Sequence, residues 1–198
     1  MSKKLLATLT VGLTVVISGC ATTNSGDTYS NPTYSAATIK SVAVMPITNQ
    51  RLNAGQAIET NRLLISALQS RNPGMKIMAG SAAIEAMNDK NLVNPWNNFI
   101  VSYSQTGLPN TNTLKEVTKA LGVDAIIVGT IDRIREQDPA PYVYPFIEVS
   151  MRYTMFDKNG TILWEVDSDA KKLGYFSKPP MSDVVDEAMK KIIAQLPK

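Results

Sequence analysis

Chemistry has few footholds in this sequence. There is no histidine, and Cys20, within Val15-Val16-Ile17-Ser18-Gly19-Cys20, is the only cysteine. Without histidine the usual proton carrier near neutral pH is missing, which excludes Ser-His-Asp catalysis, Cys-His catalysis and His-ligated zinc. One thiol closes no intramolecular disulfide. Carboxylate, lysine and tyrosine chemistry survive. The candidate carboxylates are Asp124, at the start of an apolar run, and Asp132 and Glu136, which follow it beside Arg133 and Arg135. Two carboxylates near a strand end can do acid–base work. Mixed charges at such an end are more commonly a solvated edge. No glycine-rich phosphate loop and no Gly-x-Ser-x-Gly elbow occurs.

Cys20 has a context of another kind. Lys3 and Lys4 give a positive start, residues 5–17 are mostly apolar and uncharged, and Ser18-Gly19 supply small residues before the cysteine. The apolar stretch falls short of the ~20 residues a spanning helix needs. The pattern resembles a bacterial lipoprotein signal, with Ile17-Ser18-Gly19-Cys20 as the lipobox and Ile17 in place of the usual leucine. The resemblance implies cleavage before Cys20 and lipid on its sulfur. It also implies outer-membrane, periplasm-facing placement, because Ala21 rather than aspartate follows the cysteine. Residues 1–19 then form a signal peptide. Residues 20–37, rich in Ser, Thr, Asn and small side chains, read as the acylated cysteine and a flexible tether.

Residues 38–198 are the folded domain. A chain of 198 residues with 44% apolar and 19% charged side chains suits one globular domain with a short appendage. The net charge of +3 falls to +1 once Lys3 and Lys4 are removed with the signal. That balance argues against nucleic acid as a partner.

Apolar residues on both alternating faces predict a buried strand in 38–49. Asn53 and Gln56 have capping-box spacing for a helix running to Arg71, with Ile58, Leu64, Ile65 and Leu68 inward. Residues 75–79 read as a short strand and 81–89 as a short helix capped by Ser81. In 94–110, Trp96, Phe99, Ile100 and Tyr103 share one helical face, with Asn94 as cap, Pro95 at the first turn and Gly107 at the end. That stripe reads as core rather than ligand box. Residues 111–122 read as another helix, with Thr113 and Glu116 at capping-box spacing and Gly122 suited to its C-terminal cap. Residues 123–134 form a second buried strand. Residues 146–156 alternate as a half-exposed strand, 157–160 carry an Asn-Gly turn, and 161–173 return with Ile162, Trp164 and Val166 on one face. An amphipathic helix over 182–196 completes the order β-α-β-α-α-α-β-β-β-α. The fold class is α/β: a single three-layer-like domain, a mixed sheet with helices packed on it.

The connection 137–146 holds three prolines with Tyr142, Tyr144 and Phe146. Proline stiffens such a path, and exposed tyrosines favour protein contacts. The other reading folds these rings back over the sheet edge.

"VAVMPITN", "LGVDAIIVGTID" and "VSMRYTMFDKNGTILWEVD" together resemble a family of envelope lipoproteins. It includes the curli secretion channel CsgG, the penicillin-binding-protein activator LpoB and domains similar to the TolB amino-terminal domain. The resemblance covers residues 38–196 and implies a fold more specifically than a function. It implies no catalytic residue, metal or cofactor. The connections at 135–145 and 174–181 are too short for the hairpins that build the curli pore, since each membrane strand needs ~9–11 residues. The expectation is a non-enzymatic accessory or activator lipoprotein. Its partners are the membrane through lipid on Cys20, an envelope protein, and in one variant further copies of itself. The alternative is a carboxylate enzyme or small-ligand binder using Asp124, Asp132 and Glu136.

Overall fold

The computed structural model describes residues 26–47, 49 and 51–197; Cys20 and the signal lie outside them. The strands are β1 (Thr28–Ser30), β2 (Ser41–Val44), β3 (Lys76–Met78), β4 (Ala125–Gln137), β5 (Phe146–Asp157) and β6 (Ile162–Leu173). The α-helices are α1 (Ala54–Arg71), α2 (Gly80–Asn88), α3 (Val93–Thr106), α4 (Thr111–Leu121) and α5 (Met181–Gln195), with a 3-10 turn at Ala36–Thr38. One sheet has the order β1-β6-β5-β4-β2-β3. β2 lies parallel to β3 and β4, and the other pairs are antiparallel. The mixed α/β class read from the sequence is the class observed.

Alternation sorts the strand residues into two cores. Val42, Val44, Ala125 and Ile127 face α1 and α5, while Ala43, Met45, Ile126 and Val128 face α2, α3 and α4. Helices therefore cover both faces at this end, which is why β2 shows no polar alternation. Gly129 on β4 lies where a Cβ would stand 2.5 Å from the ring of fully buried Tyr153, so only glycine leaves that ring its place.

The Asn53 capping box forms: the Gln56 amide donates to Asn53 Oδ1 at 2.9 Å, and the Asn53 amide donates to Gln56 Oε1 at 3.0 Å. Gly107 (φ 67°) and Gly122 (φ 64°) end α3 and α4 in the left-handed conformation. The aromatic stripe is core, as read: Trp96, Phe99 and Tyr103 are buried.

Several local expectations are corrected. Ile58 is 69% exposed, because Thr60, Leu64 and Leu68 are the buried stripe of α1 and Ile58 stands about 120° round the helix from its centre. α2 begins at Gly80 after Ala79, so Ser81 lies inside it and caps nothing. Leu92, not Asn94, precedes α3, with no side-chain cap. Asn110 caps α4, accepting from the amides of Asn112 and Thr113 at 3.1 and 3.2 Å. Ile162 leaves the face of Trp164 and Val166. A bulge sets Phe156 against Ile162 and Met155 against Trp164, which turns Ile162 to the opposite core.

The expected tether is corrected in its second half. Gly26 to Tyr34 lie on the domain: β1 pairs with β6, and the Asn31 amide donates to the Leu163 carbonyl at 2.8 Å. Thr28 bonds Gln195 at 2.9 Å, and Tyr34 packs against the core. Backbone groups do this work. They satisfy the outer edge of β6, and composition carries no sign of it.

Candidate functional site

The three candidate carboxylates share no site. Asp124 precedes β4 and Glu136 lies next to its last residue, so the strand separates them by roughly 40 Å. Asp132 and Glu136 are ~13 Å apart along the same strand, beyond the carboxyl separations used in paired acid–base catalysis.

Each of the three also has a structural occupation. Asp124 Oδ2 accepts from the amides of Lys40 and Ser41 at 3.0 Å each and from the Ser41 hydroxyl at 3.1 Å. It clamps the start of β2 to β4. Burial opposes ionisation of this carboxyl, but those donors and nearby Lys158 outweigh it and hold its pKa below the usual value. A depressed carboxyl pKa gives stability that is full above the unfolded value near 4 and lost as pH falls through the folded one. Asp124→Asn is therefore expected to cost about 1–2 kcal/mol at neutral pH. The deficit should vanish in acid, below both pKa values, and urea unfolding at the two pH values reads it directly. A deficit equal at both would assign the loss to packing instead.

Asp132 sits at the bulge between Ile131 and Arg133, accepts from Thr130 at 2.9 Å and pairs with Arg152 at 3.4 Å. Glu136 pairs with Lys178 at 2.8 Å and Arg51 at 3.5 Å.

Past the reach of α3, the second face of β4–β5–β6 lies open and carries charge in cross-strand rows. Arg135, Glu148 and Lys171 form one row, Arg133, Ser150 and Asp169 the next, and Arg152 with Asp167 a third. Arg152 Nε donates to Asp167 Oδ1 at 2.8 Å and lies 3.8 Å from Glu165. Burial works against the Arg152 charge, yet Asp167, Asp132 and Glu165 raise its pKa. Asp167 itself is raised, by burial first, with Arg152 opposing and Glu165 and Asp132 adding to the rise. This face is internally neutralised and offers no free charge cluster to a ligand. The expected half-exposed character of β5 holds only for this stretch, since Thr154 and Phe156 are buried beneath α3.

The departure from an ordinary solvated surface is at one end of the β4–β5–β6 hairpins. There residues 138–145 and 174–180 form two adjacent loops, joined where the Gly174 amide donates to the Pro145 carbonyl at 2.8 Å. Tyr142 and Tyr144 are exposed, at 106% and 62%, and the sequence reading that folds them over the sheet edge does not hold. Phe146 is half-buried within β5, with Lys171 Nζ 4.1 Å from its ring centroid. It seats the loop rather than extending from it. Tyr142 has φ 63°, unusual for a bulky residue, in a turn closed by the Val143 amide on the Ala140 carbonyl at 2.9 Å.

The second loop adds Tyr175 and Phe176, at 81% and 95% exposure, and Tyr175 meets Tyr144 edge-on at 6.0 Å. Sequence reasoning missed this pair. The signal was present: adjacent aromatics between Gly174 and Pro179-Pro180 belong to no periodic element, so no core face awaits them. Val143 and Leu173 complete an exposed apolar tip, with Lys178 bridging its base to Glu136 and Asp138.

The domain is thus a three-layer α/β unit with a mixed sheet, whose distinctive surface is a two-loop aromatic tip. No family model and no curated protein matches the chain. Among solved structures it is similar to lipoprotein GNA1162 from Neisseria meningitidis, at 16% identity and TM-score 0.45 over 79% of this chain and 99% of that one. It is similar to the PelC dodecamer from Paraburkholderia phytofirmans, at 14% identity and TM-score 0.46 over 85% and 94%. The LpoB C-terminal domain from Escherichia coli is similar at 17% identity and TM-score 0.40 over 69% and 86%. At such identities these likenesses assign no residue a role.

Proposed function

We propose that this chain is a non-enzymatic lipoprotein of the cell envelope, anchored through Cys20 and acting by contact as an accessory or assembly component. The observation that supports this best is the condition of the carboxylates. Asp124, Asp132 and Glu136, the candidate carboxylates of the sequence, are spread along β4 and engaged in holding strands and loops. The lipobox at Ile17–Cys20 places the work at a membrane surface, and Ala21 favours the outer one.

The test is chemical crosslinking of the full-length lipidated protein in intact envelopes, followed by purification. A stoichiometric second protein is the expected product. Recovery of the chain alone would count heavily against an accessory role. Asp132→Asn with Glu136→Gln should leave that capture unchanged. Loss of phenotype with capture intact would move the reading to carboxylate chemistry.

A further inference from the structure

The described chain begins beside the middle of β6 and, followed backwards, heads toward the aromatic tip. β1 runs antiparallel to β6, with Ser30 opposite Trp164 and Thr28 opposite Val166. Followed backwards from Ser30, the chain therefore advances along β6 toward the tip. At Gly26 it has reached Asp167 and Ser168, so close that a Cβ would stand 1.7 Å from the Asp167 carbonyl oxygen. From Ser168 to Leu173, β6 covers ~17 Å more, and the tip loop follows. Cys20 precedes Gly26 by six residues, which span at most ~22 Å fully extended. A lipid on Cys20 is therefore within reach of the tip, toward which the chain heads at Gly26.

We propose that the tip is a membrane-contact surface. Tyr142, Tyr144, Tyr175 and Phe176 seat in the headgroup–acyl boundary of the bilayer that holds the Cys20 lipid, and the domain stands on it tip first. The proposal rests on the lipid-anchored reading of Cys20. The chemistry fits a lipid interface. Tyrosine pairs an apolar ring with a polar end and concentrates at that depth. Phe176 supplies a wholly apolar ring. Lys171, Lys172 and Lys178 at the base of the two loops are already engaged, with the Phe146 ring, with Asp183 and with Glu136 and Asp138 respectively, so the aromatic rings rather than free charge carry the fit. Exposures of 81–106% for Tyr142, Tyr175 and Phe176 describe rings that project as a wedge.

The experiment uses the full lipidated chain in vesicles of phosphatidylethanolamine and phosphatidylglycerol containing brominated lipid. Tyr142→Trp and Phe176→Trp report from the tip. Leu108→Trp reports from an exposed site near the other end of the sheet, where Thr111 lies against Gly160. The native Trp96 and Trp164 are buried and give a constant background. The expected result is a blue shift and loss of emission to brominated lipid in both tip variants, with neither in Leu108→Trp. Tip variants that float with the vesicles yet stay unquenched would overturn the proposal, and a protein crosslinked to the tip would then name the occupant. A chain that fails to float and whose Cys20 carries no added mass would overturn the anchoring reading, and the proposal with it.

Discussion

Phe156→Ala is expected to lower stability by about 3–5 kcal/mol, the range for emptying a buried aromatic site. Phe156 is fully buried at the end of β5, and it is the sheet residue on which α3 is seated. Its ring meets Tyr103 edge-on at 5.5 Å and Phe99 at 6.3 Å, while Phe99 and Tyr103 stack at 5.6 Å and Trp96 continues the row at 5.1 Å. Each such pair adds ~0.5–1.5 kcal/mol beyond the area buried. Removing the ring therefore forfeits transfer energy, leaves a cavity and loosens several aromatic contacts at once. The loss would take a large share of a typical domain's ~5–15 kcal/mol. Urea unfolding followed by far-UV and near-UV circular dichroism should show one earlier transition by both probes. A loss below about 1 kcal/mol would mean that α3 is held by other contacts.

The second large effect concerns Arg152. Arg152→Met keeps much of the stem and removes the charge that three carboxylates face, with Asp167 at 2.8 Å, Asp132 at 3.4 Å and Glu165 at 3.8 Å. Breaking a buried pair costs about 3–5 kcal/mol, and partial exposure here places the expectation at about 2–3 kcal/mol at neutral pH. Asp167 is already raised by burial and by its carboxylate neighbours, with Arg152 opposing. Without Arg152 the folded-state pKa of Asp167 rises further above its unfolded one. A carboxyl raised in the fold favours the protonated form, so stability returns as pH falls through the folded pKa toward the unfolded value near 4. The deficit of Arg152→Met should therefore shrink steadily in acid. A deficit independent of pH would show that Arg152 acts through its stem alone.

Glu165 links these two sites. Its Oε2 accepts from Thr154 at 2.8 Å and from the Tyr103 hydroxyl at 3.1 Å, at the border between the aromatic core and the charged rows. Burial, foremost, pushes the Tyr103 hydroxyl up to about 12, and Glu165 adds to the rise. The open face and the α3 core are thus joined through one carboxylate.

Periodicity and backbone chemistry are local properties, and they carried much of the fold. The double-sided apolar run at Val42–Met45, the Asn53–Gln56 box and the glycines at 107 and 122 each act within a few residues. Their outcome follows from the chain alone. The proposed lipid-attachment signal at Cys20 is likewise a linear pattern, and it lies outside the described residues. The cap of α4 was misread: Thr113 and Glu116 have capping-box spacing, but the amides of Asn112 and Thr113 turned to Asn110.

Tertiary structure alone decided what depends on contacts distant in sequence. Ile58 is as apolar as Leu64, but the groove between α5 and the sheet admits only one stripe of α1. The bulge that turns Ile162 to the second core exists only once β5 and β6 are in register. The strand at Thr28–Ser30 forms because β6 has an unpaired edge, and its own side chains are all exposed. The tip is of the same origin. Tyr142 and Tyr175 become one surface because antiparallel pairing carries both hairpin loops to the same end. Short-range patterns determine which elements form, while pairing across the sheet decides which exposed groups meet.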